Sequence, residues 1–329
     1  MASADTQTAP LPAHEMTSFP RQLPSLRSNQ GSEVGSASTA WMLPTSLSVP
    51  TSEMRARYDR DGYIWIKNLI PREDVLDMRE HYFTQFAHTG ILKPNSCPRE
   101  GIFNPANDPL LHQGIGATPD AQTLDLLDIA HTTPDYRKFL EHPSLRAFVR
   151  DFMGWDKEVL VDRAMLRHNV PGSLSTAVHY DKLFLRAGEA EFLTAWVPIG
   201  DCAANGGGLM YLENSNTLGE EIEAEFMRNS QHMPEAERID AFNKNMAAGG
   251  FLSHDAEEFG RVEGKGGRWL VGDYEAGDVV FHKPYMVHAA TRNEDEKGRI
   301  RLASDLRFYE EGAGLDRRWL RVWRHDDGL

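Results

Sequence analysis

Residues 179–181 read His179-Tyr180-Asp181. In an extended strand the side chains of i and i+2 project to one face, so this imidazole and this carboxylate can reach one metal ion together. A third donor would complete the two-histidine, one-carboxylate face that holds non-haem Fe(II) and leaves coordination positions open, and the best-placed one is His288. Beyond it, the run from Arg299 through Arg301, Asp305 and Arg307 to Tyr309 alternates in the manner of a strand. Arg299 and Arg301 share a parity there, and a guanidinium on that face can hold a dicarboxylate co-substrate.

Working outward, short alternating strands separated by Gly, Pro and Asn run from Glu158 onward: Val159–Val161 with Arg163–Arg167, Phe192–Ile199, Gly207–Leu212, Trp269–Val271, Asp278–Phe281 and Ile300–Phe308. Upstream, helical spacing recurs at Ser52–Tyr58, from Arg72 to about His88 with Pro71 at its opening, and twice between Asp120 and Phe152. Helices first and strands later imply an α+β domain: a double-stranded β-helix, a jelly-roll or cupin-like barrel, with flanking N-terminal helices. Residues 1–51 are rich in Pro, Ser and Thr without apolar period and are expected to be disordered. The domain is then 52–329, with a helical insertion around 218–267 that has the makings of a lid, and a long loop from Gly90 to Ala117 crossing the mouth of a site with Phe103 and His112 as pocket candidates.

The chain of 329 residues carries a formal charge of -14, which speaks against nucleic acid or anionic membrane as partner, since both recruit Lys and Arg. A small-molecule substrate is expected, with a homodimer left open. No apolar run is long enough to span a bilayer, and the only cysteines, Cys97 and Cys202, form no disulfide framework. A reducing, cytoplasmic setting is favoured over an organelle, because Asp5 and Glu15 interrupt the Ser/Thr-rich N-terminus.

Together these motifs resemble the phytanoyl-CoA dioxygenase family of Fe(II)- and 2-oxoglutarate-dependent oxygenases. The likeness spans roughly residues 52–310: Tyr58 with Asp61-Gly62-Tyr63, His179-Tyr-Asp181, Trp196-Val-Pro, Gly207-Gly208-Leu209, Gly277-Asp278-Val-Val-Phe, His288 followed by Asn293, and Arg301 leading into Asp305-Leu-Arg307. The resemblance implies iron on His179, Asp181 and His288, an arginine of the last barrel strand on the distal carboxylate of 2-oxoglutarate, and O2 as oxidant source. Arg301 fits that strand pattern better than Arg299. Relatives often carry a hydroxyl residue two positions later, where this chain has Ala303, so either Thr194 or Tyr211 on a neighbouring strand supplies the donor or none does. Because the carboxylate position is Asp181, where halogenating relatives have a small residue, the resemblance implies hydroxylation or a related oxidation.

Competing readings are concrete. His282 rivals His288 as a ligand, and His325-Asp326-Asp327 repeats the tripeptide in a charged tail. Trp196, Met210, Tyr211, Phe184 and Tyr285 are candidates for a substrate cavity or simply core, and Lys182 and Arg186 for an anionic substrate or a solvated strand end. A cupin-type isomerase or a non-catalytic ligand-binding barrel would share the fold without needing the arginine.

Overall fold

The computed structural model describes residues 22–29, 31–189, 191–241 and 250–329. In chain order the strands and helices are β1 (Leu26–Arg27), β2 (Glu33–Val34), β3 (Thr39–Trp41), β4 (Pro44–Thr45), α1 (Thr51–Asp61), β5 (Tyr63–Ile66), α2 (Arg72–Phe86), α3 (Ala121–Thr132), α4 (Pro134–Leu140) and α5 (Pro143–Met153). There follow β6 (Glu158–Leu160), β7 (Met165–Asn169), β8 (Leu193–Pro198), β9 (Leu209–Leu212), α6 (Asn216–Asn229), α7 (Glu235–Asp240), α8 (Ala256–Val262), β10 (Trp269–Val271), β11 (Val279–His282), β12 (His288–Ala290) and β13 (Arg301–Glu310).

A seven-stranded sheet runs β4-β5-β11-β8-β13-β6, with β7 also paired to β13, and a four-stranded sheet runs β12-β9-β10-β3. Between them Trp196, Tyr211, Tyr274, Val280 and Ala303 form an interior cluster. The two facing sheets are the double-stranded β-helix that the order of elements implied, and the fold is α+β. On the outer face of the larger sheet, Phe281, Leu302, Leu306 and Phe308 pack with the apolar stripes of α1 to α5. Helix α5 shows why the helices stop where they do: Pro143 sits in the first turn, His142 accepts from the Ser144 N–H, and Gly154 ends it at φ 74°. Its Phe148 stacks on Phe281 of β11 at 5.0 Å between ring centroids.

One boundary differs from expectation. Residues 1–21 lie outside the described residues, but from 22 onward the segment expected to be disordered is built into the fold. β3 lies parallel to β10 and β4 parallel to β5, while Met42 is fully buried among Tyr63 and Trp65. Strands of two or three residues have no period of their own to detect. They gain order by hydrogen-bonding to sheet edges that already exist. The segment between β9 and β10, expected to be a helical insertion, carries α6, α7 and α8, and its residues 242–249 lie outside the described residues. No helix among the described residues is long and apolar enough to cross a membrane.

Candidate metal centre

His179 and His288 face each other across one antiparallel bridge, with His179 N–H donating to His288 C=O at 2.9 Å and the reverse bond at 2.8 Å. Directly opposed residues of such a pair project to the same side, which brings the two imidazole centroids to 4.2 Å. The chain stays extended through Tyr180 and turns into a 3-10 segment at Asp181–Leu183, so the carboxylate emerges beside His179 from the start of a turn and not from the expected strand. Asp181 Oδ1 lies 4.0 Å from His179 Nε2 and 3.8 Å from His288 Nε2, and the three donor atoms fall within 4.8 Å of one another.

The donor set suits a divalent cation. Each imidazole turns Nδ1 toward a backbone carbonyl, Ala177 O at 2.8 Å and Met286 O at 2.9 Å, which assigns the proton to Nδ1 and leaves the Nε2 lone pair facing the cluster. Burial pulls the His179 pKa down to about 4; burial, reinforced by the neighbouring histidines, lowers His288 well below its usual value. Both rings are therefore neutral ligands at pH 7. Burial alone would raise the Asp181 pKa, but Arg307 and His282 outweigh it and hold the carboxyl well below the usual range.

The second oxygen of Asp181 is already committed. Thr194 Oγ1 donates to Oδ2 at 2.6 Å and His282 Nε2 lies 3.2 Å from it, while Arg307 Nη2 donates to Oδ1 at 2.9 Å. These three side chains stand in register across β11, β8 and β13, His282 opposite Thr194 and Thr194 opposite Arg307. Oδ1 keeps a second lone pair for a metal. His282, weighed as a rival ligand, instead braces the carboxylate and meets Tyr211 Oη at 3.2 Å through Nδ1. The role of Arg307 was not read from sequence, although it shares the parity of Arg301 three turns of the pleat away.

The arginine candidates separate. Arg301 is buried on β13 opposite Asn169, donating from Nε to Gly207 O at 3.0 Å and from Nη1 to Arg167 O at 3.2 Å. Arg299 precedes the strand and forks onto Asp295 Oδ2 at 2.6 and 2.9 Å, so the parity expected of it does not bring it into the barrel. Thr194 is corrected as well: its hydroxyl is spent on Asp181 at the far end of β13, and Ala303 faces Pro198.

A cavity of about 300 Å³ opens over His179 and Asp181, within the size range of small-molecule sites. Met165, Phe184, Trp319 and Trp323 give it apolar walls, Ile115 to Pro119 close one side, and Arg163, Arg167 and Arg307 line it. The long loop thus borders the site, but through its end at Ile115 to Ala117; Phe103 packs in the helix-side core and His112 is buried, its carbonyl 3.2 Å from His168 Nε2. Of the aromatic candidates Phe184 lines the cavity, whereas Trp196, Met210 and Tyr211 are core and Tyr285 packs near Tyr180. Lys182 donates to Gly188 O and Arg186 forks onto Glu223, so neither faces the cavity. The tail tripeptide meets Asp128 at the surface, with His325 Nδ1 2.8 Å from Asp128 Oδ2.

A family model described as Phytanoyl-CoA dioxygenase (PhyH) matches residues 58–301. No curated protein matches the chain. Similar solved structures include the non-heme alpha ketoglutarate dependent carbocyclase SnoK from nogalamycin biosynthesis, 19% identical over 80% of this chain and 86% of that one with a TM-score of 0.49. The epimerase SnoN in complex with Fe3+, alpha ketoglutarate and nogalamycin RO is 16% identical over 79% and 83%, with a TM-score of 0.48. HygX from Streptomyces hygroscopicus, with nickel and 2-oxoglutarate bound, is 13% identical over 80% and 89%, with a TM-score of 0.44.

Proposed function

The chain belongs to the phytanoyl-CoA dioxygenase family, and on that premise we propose that it oxidises, by hydroxylation, a C–H bond of a small organic substrate. Enzymes of this family use non-haem iron with 2-oxoglutarate. Iron and co-substrate together supply the oxidant, through reduction of O2 coupled to decarboxylation of 2-oxoglutarate to succinate and CO2. His179 Nε2, His288 Nε2 and Asp181 Oδ1 are the atoms that would hold the metal. Thr194 and His282 engage Oδ2, which leaves Oδ1 as the oxygen of Asp181 that would hold the metal. Arg301 receives the distal carboxylate of the co-substrate. The apolar cavity wall orients the substrate over the metal face and keeps water from it.

The observation that carries this reading is the convergence of three buried donors whose other polar atoms are all engaged elsewhere. The retention of Asp181, which fills the position a halide would need, favours hydroxylation. The test is an anaerobic titration of the Fe(II)-loaded protein with 2-oxoglutarate, followed by the weak visible charge-transfer band of the chelate. The wild type is expected to develop the band, His179→Ala to lack it, and Arg301→Gln to require more 2-oxoglutarate. Metal binding without a band in the wild type would overturn the reading in favour of a cupin-type isomerase or a ligand-binding barrel.

A further inference from the structure

We propose that the substrate of this site carries a carboxylate on an apolar body, and that Arg167 receives it. The inference rests on the oxygenase reading above and goes further, naming the chemical class of substrate and a residue that selects it.

Four buried arginines stand near the centre, and three of them donate hydrogen bonds. Arg163 is bound to Asp327 and to Leu329 O, Arg307 to Asp181, and Arg301 to two backbone carbonyls. Arg167 differs. It stands on β7 opposite Ala303, is 9% exposed, and among the described residues its side chain donates no hydrogen bond. It is ion-paired with Asp305, whose Oδ2 lies 3.1 Å from a sealed Nε without completing a hydrogen bond, so Nη1 and Nη2 are the atoms left for a ligand. A guanidinium offers five donors in a planar fork, and the four on Nη1 and Nη2 here donate to no described residue and can be taken up by a ligand.

The fork borders the cavity that also contains His179 and Asp181. A group bound there would be held with the rest of its molecule against Met165, Phe184, Trp319 and Trp323, over the metal face. A planar monocarboxylate matches the fork bidentately. A phosphate dianion is disfavoured by Asp305, which already stands beside the same guanidinium. The co-substrate is the other source of a carboxylate, so the test keeps the two apart.

Full-length protein loaded with Fe(II) and 2-oxoglutarate under nitrogen would be titrated with benzoate, cinnamate and indole-3-acetate, and with the primary amide of each. Tryptophan fluorescence, to which Trp319 and Trp323 contribute, and perturbation of the visible band would report binding. At least one acid is expected to bind at least 10-fold more tightly than its amide. Arg167→Gln should weaken that acid at least 10-fold, Arg167→Lys should recover part of it, and 2-oxoglutarate half-saturation in Arg167→Gln should stay within 3-fold of wild type. Binding of amide and acid alike, no binding by any acid, or an acid affinity unchanged in Arg167→Gln would overturn the proposal. So would a 10-fold loss of 2-oxoglutarate affinity in that variant, which would assign Arg167 to the co-substrate. Arg167-dependent acid binding in a protein that never develops the band would keep the anion site and sink the oxygenase reading alone.

Discussion

Along β13 the outward side chains Leu302, Leu306 and Phe308 join the helix-packed core, while the inward Arg301, Asp305 and Arg307 stand inside the barrel. Both rows are nearly sealed from water, so burial does not tell them apart. What differs is the company. The outward row meets apolar side chains, apart from Ser304, whose hydroxyl is 2.6 Å from Tyr136 Oη. The inward row meets Asp181, backbone carbonyls and a cavity. Charge placed in a barrel interior is expensive unless it is paired or has a ligand, and its presence there marks the row that serves chemistry.

The strongest challenge to that contrast is Asp181→Ala. It deletes a proposed metal donor and strands Arg307 without its carboxylate, so Fe(II) affinity should fall more than about 100-fold. Losing one partner of a buried pair should also destabilise the protein by about 3–5 kcal/mol. Metal titration and urea denaturation measure the two separately. Leu306→Ala is the matching cut on the outward row: a loss of about 2–5 kcal/mol in the same denaturation experiment, with Fe(II) affinity preserved. If Leu306→Ala lowered Fe(II) affinity as far as Asp181→Ala, the two rows would not be separable.

Within the inward row, Arg301 and Arg299 sharpen the contrast further. Arg301→Gln should raise 2-oxoglutarate half-saturation by about 10–100-fold, the worth of a hydrogen bond to a charged group. Arg299→Gln, which breaks the pair with the buried Asp295 outside the barrel, should change it less than about 3-fold. Equal effects from the two would mean that the co-substrate enters from the Asp295 side.

The pairing of His179 with Asp181 and the barrel were legible from short patterns, the H-x-D tripeptide and the alternation along β13, although Asp181 enters from a turn and not from a strand. The bracing of Asp181 was not, because Thr194, His282 and Arg307 come together only through the register of β11, β8 and β13. Parity narrows where a side chain points but not which layer it occupies. That is why Thr194 was assigned to the wrong end of β13. The N-terminal strands escaped for a related reason, since their order comes from β5 and β10 and not from their own composition. The cavity wall drawn from Ile115 to Pro119 and from Trp319 and Trp323 also joins distant segments, and no local period announces it.

Strand β7 repeats the contrast on a smaller energy scale and gives the last prediction. Its inward Arg167 borders the cavity beside Asp305, whereas its outward His168 is satisfied, with Nδ1 2.6 Å from Tyr82 Oη and Nε2 3.2 Å from His112 O. His131 of α3 likewise accepts the Leu166 N–H at 2.9 Å and lies 2.7 Å from Leu127 O through Nδ1. Burial brings the pKa of both His131 and His168 down to about 4, against about 6.5 in an unfolded chain. Between those values the unfolded state binds the proton that the folded state refuses, so stability rises with pH and is lost on acidification from about 6.5 to about 4. Each histidine contributes a slope of at most about 1.4 kcal/mol per pH unit in that window. His168→Gln should therefore be less stable than the wild type at pH 7.5, with the gap closing as denaturation midpoints are followed down to pH 5. Metal-free His179 and His288 add to the slope of both proteins, so the difference between them isolates His168. A gap that stays constant with pH would mean that the outward face tolerates a charged imidazole, and that the division between an apolar and a charged side of the sheet is looser than its burial implies.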